Sequence, residues 1–197
     1  MSVTDIEARL RFSALDERQR AVLRASRPIL RRCIGPALDR FYVRARATPE
    51  TARFFRDDAH MASARSAQIA HWMRIVDGQF DAGYYDSVGR VGGVHAPIGL
   101  GPAWYIGAYS LVLEEIVRAV DRAASSWKRL LGLRAGRGEM IAVLTKAALL
   151  DMELSISIYF EEAAARRNPA SAKLDGALGR LGGGGRRGGR GAARPAG

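Results

Sequence analysis

The segment 91–113, VGGVHAPIGLGPAWYIGAYSLVL, constrains the fold more than any other part of this chain. It carries no acidic or basic side chain except one histidine, and it contains five glycines and two prolines. Glycine and proline at this density would leave backbone groups unpaired in lipid, so the segment is a poor membrane span. It instead predicts a helix that ends near His95, a tight corner over 97–102 and the start of a second long helix.

The rest of the chain repeats its apolar residues with a helical period, and no segment alternates convincingly with a period of two. This pattern predicts an all-α fold of about eight helices. We expect helices over 4–12, 16–26, 28–45 and 48–55, over 58–78 with Asp57 or Asp58 at its start, and over 84–95, 102–131 and 138–166.

The last predicted helix is apolar nearly all round, and its apolar residues include Met140, Leu150, Ile158 and Phe160. A helix of this kind is buried on more than one side. We therefore predict a homodimer that forms through the last two long helices.

The C-terminal part differs in composition from the rest. From Arg166 onward the chain carries +7 of the formal net charge of +11, and nine glycines fall between 176 and 191. Because it lacks aromatic residues, this part cannot bury enough surface to offset its ordering entropy. The prediction is a domain over 1–168 and a disordered Gly/Arg-rich tail over 169–197. The run 186–191, RRGGRG, makes nucleic-acid association an alternative, although charge without stacking gives only weak attachment.

Other features narrow the class of protein. Cys33 is the only cysteine, which excludes an intrachain disulfide and fits a reducing compartment. We expect it to be a buried, inert thiol. The first ten residues lack the apolar core of a signal peptide, so a cytoplasmic location is expected. No nucleophile elbow, phosphate loop or zinc-protease motif is present in the sequence, so we expect no dedicated enzyme.

Three pieces of the sequence together resemble the sensor globins, which comprise the protoglobins and the haem domains of globin-coupled sensors. They are Phe41-Tyr42, the short helix at 48–55, and HAPIGL at 95–100 followed by WYIGAY at 104–109. The resemblance covers about residues 10–165. It implies a globin fold, haem b with its iron held by His95, and reversible binding of O2, CO or NO.

The resemblance also implies roles for individual side chains. Tyr105 is expected to hydrogen-bond the proximal His95, and Tyr42 to face the bound gas; for both, ordinary core packing is the alternative. Apolar and aromatic residues are candidates for the pocket wall: Phe41, Phe54, Phe55, Val91 and Trp104. Small residues, Ala64 and Ala67, are expected on the distal face, and His60 and His71 at the surface or rim.

The function implied is that of a gas or redox sensor without a fused output domain, which either signals through a separate, unidentified partner or only binds gas. Incidental haem redox activity is compatible with this. The alternative is a haem-free globin-like module that serves in protein interaction or signalling.

Overall fold

The computed structural model describes residues 3–127 and 136–182 of the chain. This part forms seven helices and no strand, which confirms the all-α prediction. The helices are α1 (Val3–Phe12), α2 (Glu17–Ala47), α3 (Pro49–Ala52), α4 (Asp58–Asp77), α5 (Ala82–Ile98), α6 (Pro102–Trp127) and α7 (Arg137–Gly182).

Helix α2 replaces two of the predicted helices and accounts for a count of seven instead of eight. It begins at the Asp16 cap, whose carboxylate accepts a hydrogen bond from the Gln19 N–H at 2.9 Å. A break was predicted at Pro28, but the helix continues through both Pro28 and Pro36. A proline inside a helix removes one hydrogen bond and crowds the preceding turn. Burial of one continuous face compensates for this cost: Val22, Leu23, Ile29, Leu30, Ile34, Leu38 and Tyr42.

Helix α4 begins and ends where the sequence predicts. The Asp57 carboxylate caps the first turn by accepting a hydrogen bond from the His60 N–H at 2.7 Å. Gly78 ends the helix with φ of +65°, a left-handed conformation that a glycine adopts without steric cost. Helix α2 packs against α3, α4 and α6, so it forms the centre of the core.

The corner between α5 and α6 is shorter than predicted. Helix α5 runs to Ile98 with Pro97 in its last turn, so only residues 99–101 make the turn. Gly99 has φ of +73°, and the next residue, Leu100, donates its N–H to the carbonyl of His95 at 3.1 Å. This bond closes the end of α5 at His95, the candidate metal-binding residue.

Helix α7 differs from the prediction in two ways. It continues as helix to Gly182, where a disordered tail was expected from 169; residues 183–197, with the RRGGRG run, lie outside the described residues, as do 128–131 of the preceding predicted helix. Over 140–158 its apolar side chains are mostly buried within the chain itself, including Leu144, Ala147 and Leu154. Their burial therefore requires no partner, contrary to the argument from periodicity.

The chain divides into two compact units, residues 1–159 and 160–197. All residues of the site described below belong to the first unit. Among the described residues, no helix combines the length and apolar character needed to cross a bilayer.

Candidate functional site

His95 lies three residues before the end of α5 and is half-buried. Its Nδ1 atom is buried and has no hydrogen-bond partner. Beside the ring is a cavity of about 10 Å³, which is room for about one water molecule. Residues from α5, the corner, α6 and α7 enclose it: His95, Leu100, Pro102, Tyr105, Ser155, Ile156 and Tyr159. A buried polar atom without a hydrogen-bond partner is costly in a folded protein. This nitrogen is therefore a candidate to coordinate a metal or to hydrogen-bond a group that is not a side chain of the protein.

Burial also controls the protonation of this ring. It lowers the pKa of His95 from 6.5 to about 4, because the charged imidazolium is poorly solvated there. The ring is consequently neutral at pH 7. Neutral imidazole keeps a nitrogen lone pair and is the form that ligates metals.

Tyr105, on α6, contacts His95 by its ring. The two ring centroids are 5.2 Å apart with an edge-to-face geometry. The hydroxyl of Tyr105, however, lies 3.4 Å from that of Tyr109 and makes no hydrogen bond to His95. The predicted contact is thus present between the rings, whereas the predicted hydrogen bond is absent. Burial raises the pKa of Tyr105, so its phenol keeps its proton.

A polar cluster in the core was missed by the sequence reasoning. Asp151, on α7, is completely buried, and its carboxylate accepts hydrogen bonds from the phenols of Tyr84 on α5 and Tyr109 on α6. Tyr84 bonds Oδ1 and Tyr109 bonds Oδ2. His71 Nε2, on α4, lies 2.8 Å from the same Oδ2. Burial and the adjacent carboxylate raise the pKa of both Tyr84 and Tyr109 well above the usual value. We call Asp151, His71, Tyr84 and Tyr109 the Asp151 cluster.

This cluster corrects the prediction for His71. A surface or rim position was expected, but His71 is only 6% exposed and its ring stacks on Tyr84 at 6.4 Å. The sequence signal for such a cluster is Asp151 itself, an acidic residue between Leu150 and Met152 in an apolar stretch of the chain. A charge in such a position needs polar partners from neighbouring helices.

Tyr42 lies in the core at the C-terminal half of α2. Phe41 and Phe55 pack edge-to-face on it, with centroids 4.8 Å and 5.7 Å away. Burial raises the pKa of Tyr42 to about 12, so the phenol is a hydrogen-bond donor at neutral pH. An open groove of about 430 Å³ between α2 and α4 reaches this side chain, and it shares no lining residue with the cavity at His95. It is lined by Asp39, Tyr42, Val43, Arg46, Asp58, Met61, Ala62 and Arg65.

The other predicted site residues are placed unevenly. Phe41, Phe55, Val91 and Ala64 are partly buried against the core, whereas Trp104 is 40% exposed and Ala67 is also exposed. Phe54 is half-buried. His60 is also half-buried, near Phe55, and its Nδ1 accepts a hydrogen bond from the Arg56 N–H at 3.4 Å. Trp104 therefore lies outside the core, and the rim position expected for His60 stays a prediction.

The side chains at this site suit a metal held in a cofactor that itself supplies most of the metal's ligands. Within residues 3–127 and 136–182, no group of three or more His, Cys, Asp or Glu side chains could hold a metal ion. A porphyrin supplies four nitrogens and needs only an axial imidazole, which a neutral, buried His95 can provide. The cavity of about 10 Å³ is far smaller than the macrocycle. A porphyrin at His95 would therefore displace the residues around it.

Comparisons with known proteins identify relatives of the chain. The family model described as Protoglobin matches residues 3–165. The heme-based aerotactic transducer HemAT of Halobacterium salinarum is 24% identical over 169 residues, which are 82% of this chain but 34% of that protein. The chain thus spans about a third of the length of this relative.

The fold has a solved counterpart. The globin domain of the Geobacter sulfurreducens globin-coupled sensor superposes with a TM-score of 0.66 at 17% identity, covering 81% of this chain and 98% of that domain. At this level of identity the likeness establishes the globin fold, and it confirms the fold class predicted from the sequence.

Proposed function

Because the chain belongs to the protoglobin family, we propose that it binds haem b through His95 and reversibly binds a diatomic gas such as O2, CO or NO. The observation that carries the proposal is the state of His95. Its ring is half-buried, its pKa of about 4 keeps it neutral, and its buried Nδ1 has no partner in the protein.

Each side of the site would contribute differently. Haem, when bound, supplies an iron centre with affinity for small gases. His95 holds that centre from the proximal side, and the corner that follows α5 fixes the backbone at this residue through the bond from Leu100 N–H to the His95 carbonyl.

Tyr42 is the proposed donor to the gas. Its pKa of about 12 means that the O–H remains a donor throughout the physiological range. One such hydrogen bond contributes about 1 kcal/mol, which corresponds to roughly fivefold in affinity. Phe41 and Phe55 pack against its ring and so restrict where the phenol points.

The wider role is that of a gas or redox sensor. The Halobacterium salinarum relative is a heme-based aerotactic transducer, which supports a sensing role. The same proposal includes a homodimer that forms through α6 and α7. It also includes an unidentified signalling partner and no dedicated enzymatic activity. The cytoplasmic location stays a prediction.

The test is a titration with haem. We expect the wild type to bind one equivalent and to give a sharp Soret band. His95→Ala should lose that spectrum and recover it when imidazole is added, because the free base can occupy the space of the missing ring. His60→Ala, which removes the half-buried histidine of α4, is the matched control and should bind as the wild type does.

Two results would count against the proposal. A His95→Ala variant with an unchanged spectrum would place the ligand elsewhere. A folded wild type that takes up no haem would favour the haem-free signalling module instead.

A further inference from the structure

The Asp151 cluster joins four helices at one carboxylate. His71 comes from α4, Tyr84 from α5, Tyr109 from α6 and Asp151 from α7. Burying an ionised carboxylate is expensive even when it is well bonded, and apolar residues of similar volume often stabilise a core as well or better. The family fold alone therefore does not explain why an acid lies here.

The hydrogen bonds of the cluster have a definite direction. Tyr109 donates a hydrogen bond to Asp151, so the Tyr109 oxygen remains free to accept one. The Tyr105 hydroxyl, 3.4 Å away, must then be the donor of the bond between the two phenols. The oxygen of Tyr105 is left with acceptor capacity, and its ring already contacts His95.

Two buried atoms without a hydrogen-bond partner belong to residues that line the cavity beside Tyr105: Ser155 Oγ and His95 Nδ1. Of these two residues, His95 is the one whose ring contacts that of Tyr105, so we take its Nδ1 as the last link. It is buried and unpaired, and when the other ring nitrogen ligates a metal it carries the N–H. His95 and Tyr105 line the same cavity, whose volume of about 10 Å³ accommodates one water. A single water there, or a small rotation of the phenol, would complete a line of donors from His95 through Tyr105 and Tyr109 to Asp151.

We propose that Asp151 is a positioning residue for His95, and that the line through Tyr109 and Tyr105 sets how strongly this imidazole donates to the metal it holds. The inference rests on the proposed function, since it requires haem at His95. An acceptor at the N–H of a ligating imidazole fixes the orientation of the ring and raises its basicity. The carboxylate end of the line should therefore strengthen the bond from His95 to iron and favour the oxidised protein.

The branching of the cluster provides the test. Tyr109→Phe removes the hydroxyl that lies in the line. Tyr84→Phe removes an equally buried hydroxyl that bonds the same carboxylate but lies outside the line. Asp151→Asn changes the terminal acceptor, and Glu153→Gln makes the same acid-to-amide change at a partly exposed position of α7.

Two quantities should be measured on each haem-loaded variant: the Fe–His stretching frequency of the ferrous protein by resonance Raman spectroscopy, and the midpoint potential. We expect Tyr109→Phe and Asp151→Asn to lower the stretching frequency. Both should also favour reduction by about tenfold, which is about 59 mV for a one-electron couple. Tyr84→Phe and Glu153→Gln should remain close to the wild type.

Thermal unfolding of each haem-free variant shows whether it folds. If Asp151→Asn does not fold, Tyr109→Phe against Tyr84→Phe decides the matter. Equal shifts in these two variants, or no shift in Tyr109→Phe, would overturn the inference while leaving haem binding intact. A wild type without a Soret band would overturn the proposed function first, so the two failures are distinguishable.

Discussion

His95 and His71 are both withdrawn from solvent, yet their surroundings differ. His71 lies 2.8 Å from a buried carboxylate oxygen, whereas the Nδ1 of His95 has no partner. The sequence singled out His95 because it lies next to a Gly/Pro corner and an aromatic pair. It showed Asp151 as an acid that needs polar partners, but it could not identify His71 as one of them, since the two residues are 80 apart and the bond depends on how four helices meet.

The low pKa of His95 predicts a pH dependence of stability in the haem-free protein. The unfolded chain protonates this ring near 6.5 and the folded chain only near 4. Between these values the unfolded state binds more protons, so the contribution of His95 to stability is complete above pH 6.5 and is lost as the pH falls.

Replacement by leucine removes this effect. Between pH 7 and pH 5 the wild type should lose on the order of 1–2 kcal/mol relative to His95→Leu. Urea unfolding of both proteins at the two pH values measures the difference. Stability curves that run parallel from pH 7 to pH 5 would show that the folded ring is not held neutral.

At the scale of helices, capping residues predicted where a helix begins or ends better than the sequence predicted whether a helix continues through a proline. The Asp16 and Asp57 caps and the Gly78 end are all where the sequence predicts, because capping depends on a few neighbouring residues. The break at Pro28 was wrong because the packing of a long apolar face outweighs one lost hydrogen bond. The disorder predicted from 169 was drawn from composition, whereas the structure continues α7 over 169–182.

The cap of α4 offers a direct test at this scale. Asp57→Ala removes the acceptor of the His60 N–H and should cost about 1 kcal/mol of unfolding free energy. Asp57→Asn retains a good capping oxygen and should cost much less. The comparison is made by urea denaturation of both variants, and equal losses would mean that the cap contributes little beyond its charge.

At the scale of the whole molecule, the sequence predicted the helical class and the family, while the interior depended on packing. The single chain already covers most of α7, so the argument for a dimer now rests on what stays exposed. Trp104 and Ile106 on α6 are 40% and 47% exposed, and Leu149 on α7 is 48% exposed. Large apolar side chains exposed on two long helices are candidates for a subunit interface.

Charge at one of these positions should weaken the predicted dimer. Light scattering after size exclusion should give twice the monomer mass for the wild type and a shift toward the monomer for Leu149→Arg. Phe12→Arg is the matched control, because Phe12 is 94% exposed and belongs to α1, which is neither of the two helices of the predicted interface. At about 100 µM, an interface worth only ~5.5 kcal/mol would be half-occupied. A wild type that runs as a monomer at that concentration would contradict the prediction.

The partners of Asp151 come from 80, 67 and 42 residues earlier in the chain. Contacts of this separation form only after most of the chain has been brought together. During synthesis α7 appears after α4, α5 and α6, so a nascent chain that ends at α6 holds three polar side chains whose common acceptor does not yet exist. This polar interior can therefore form only once α7 has been made.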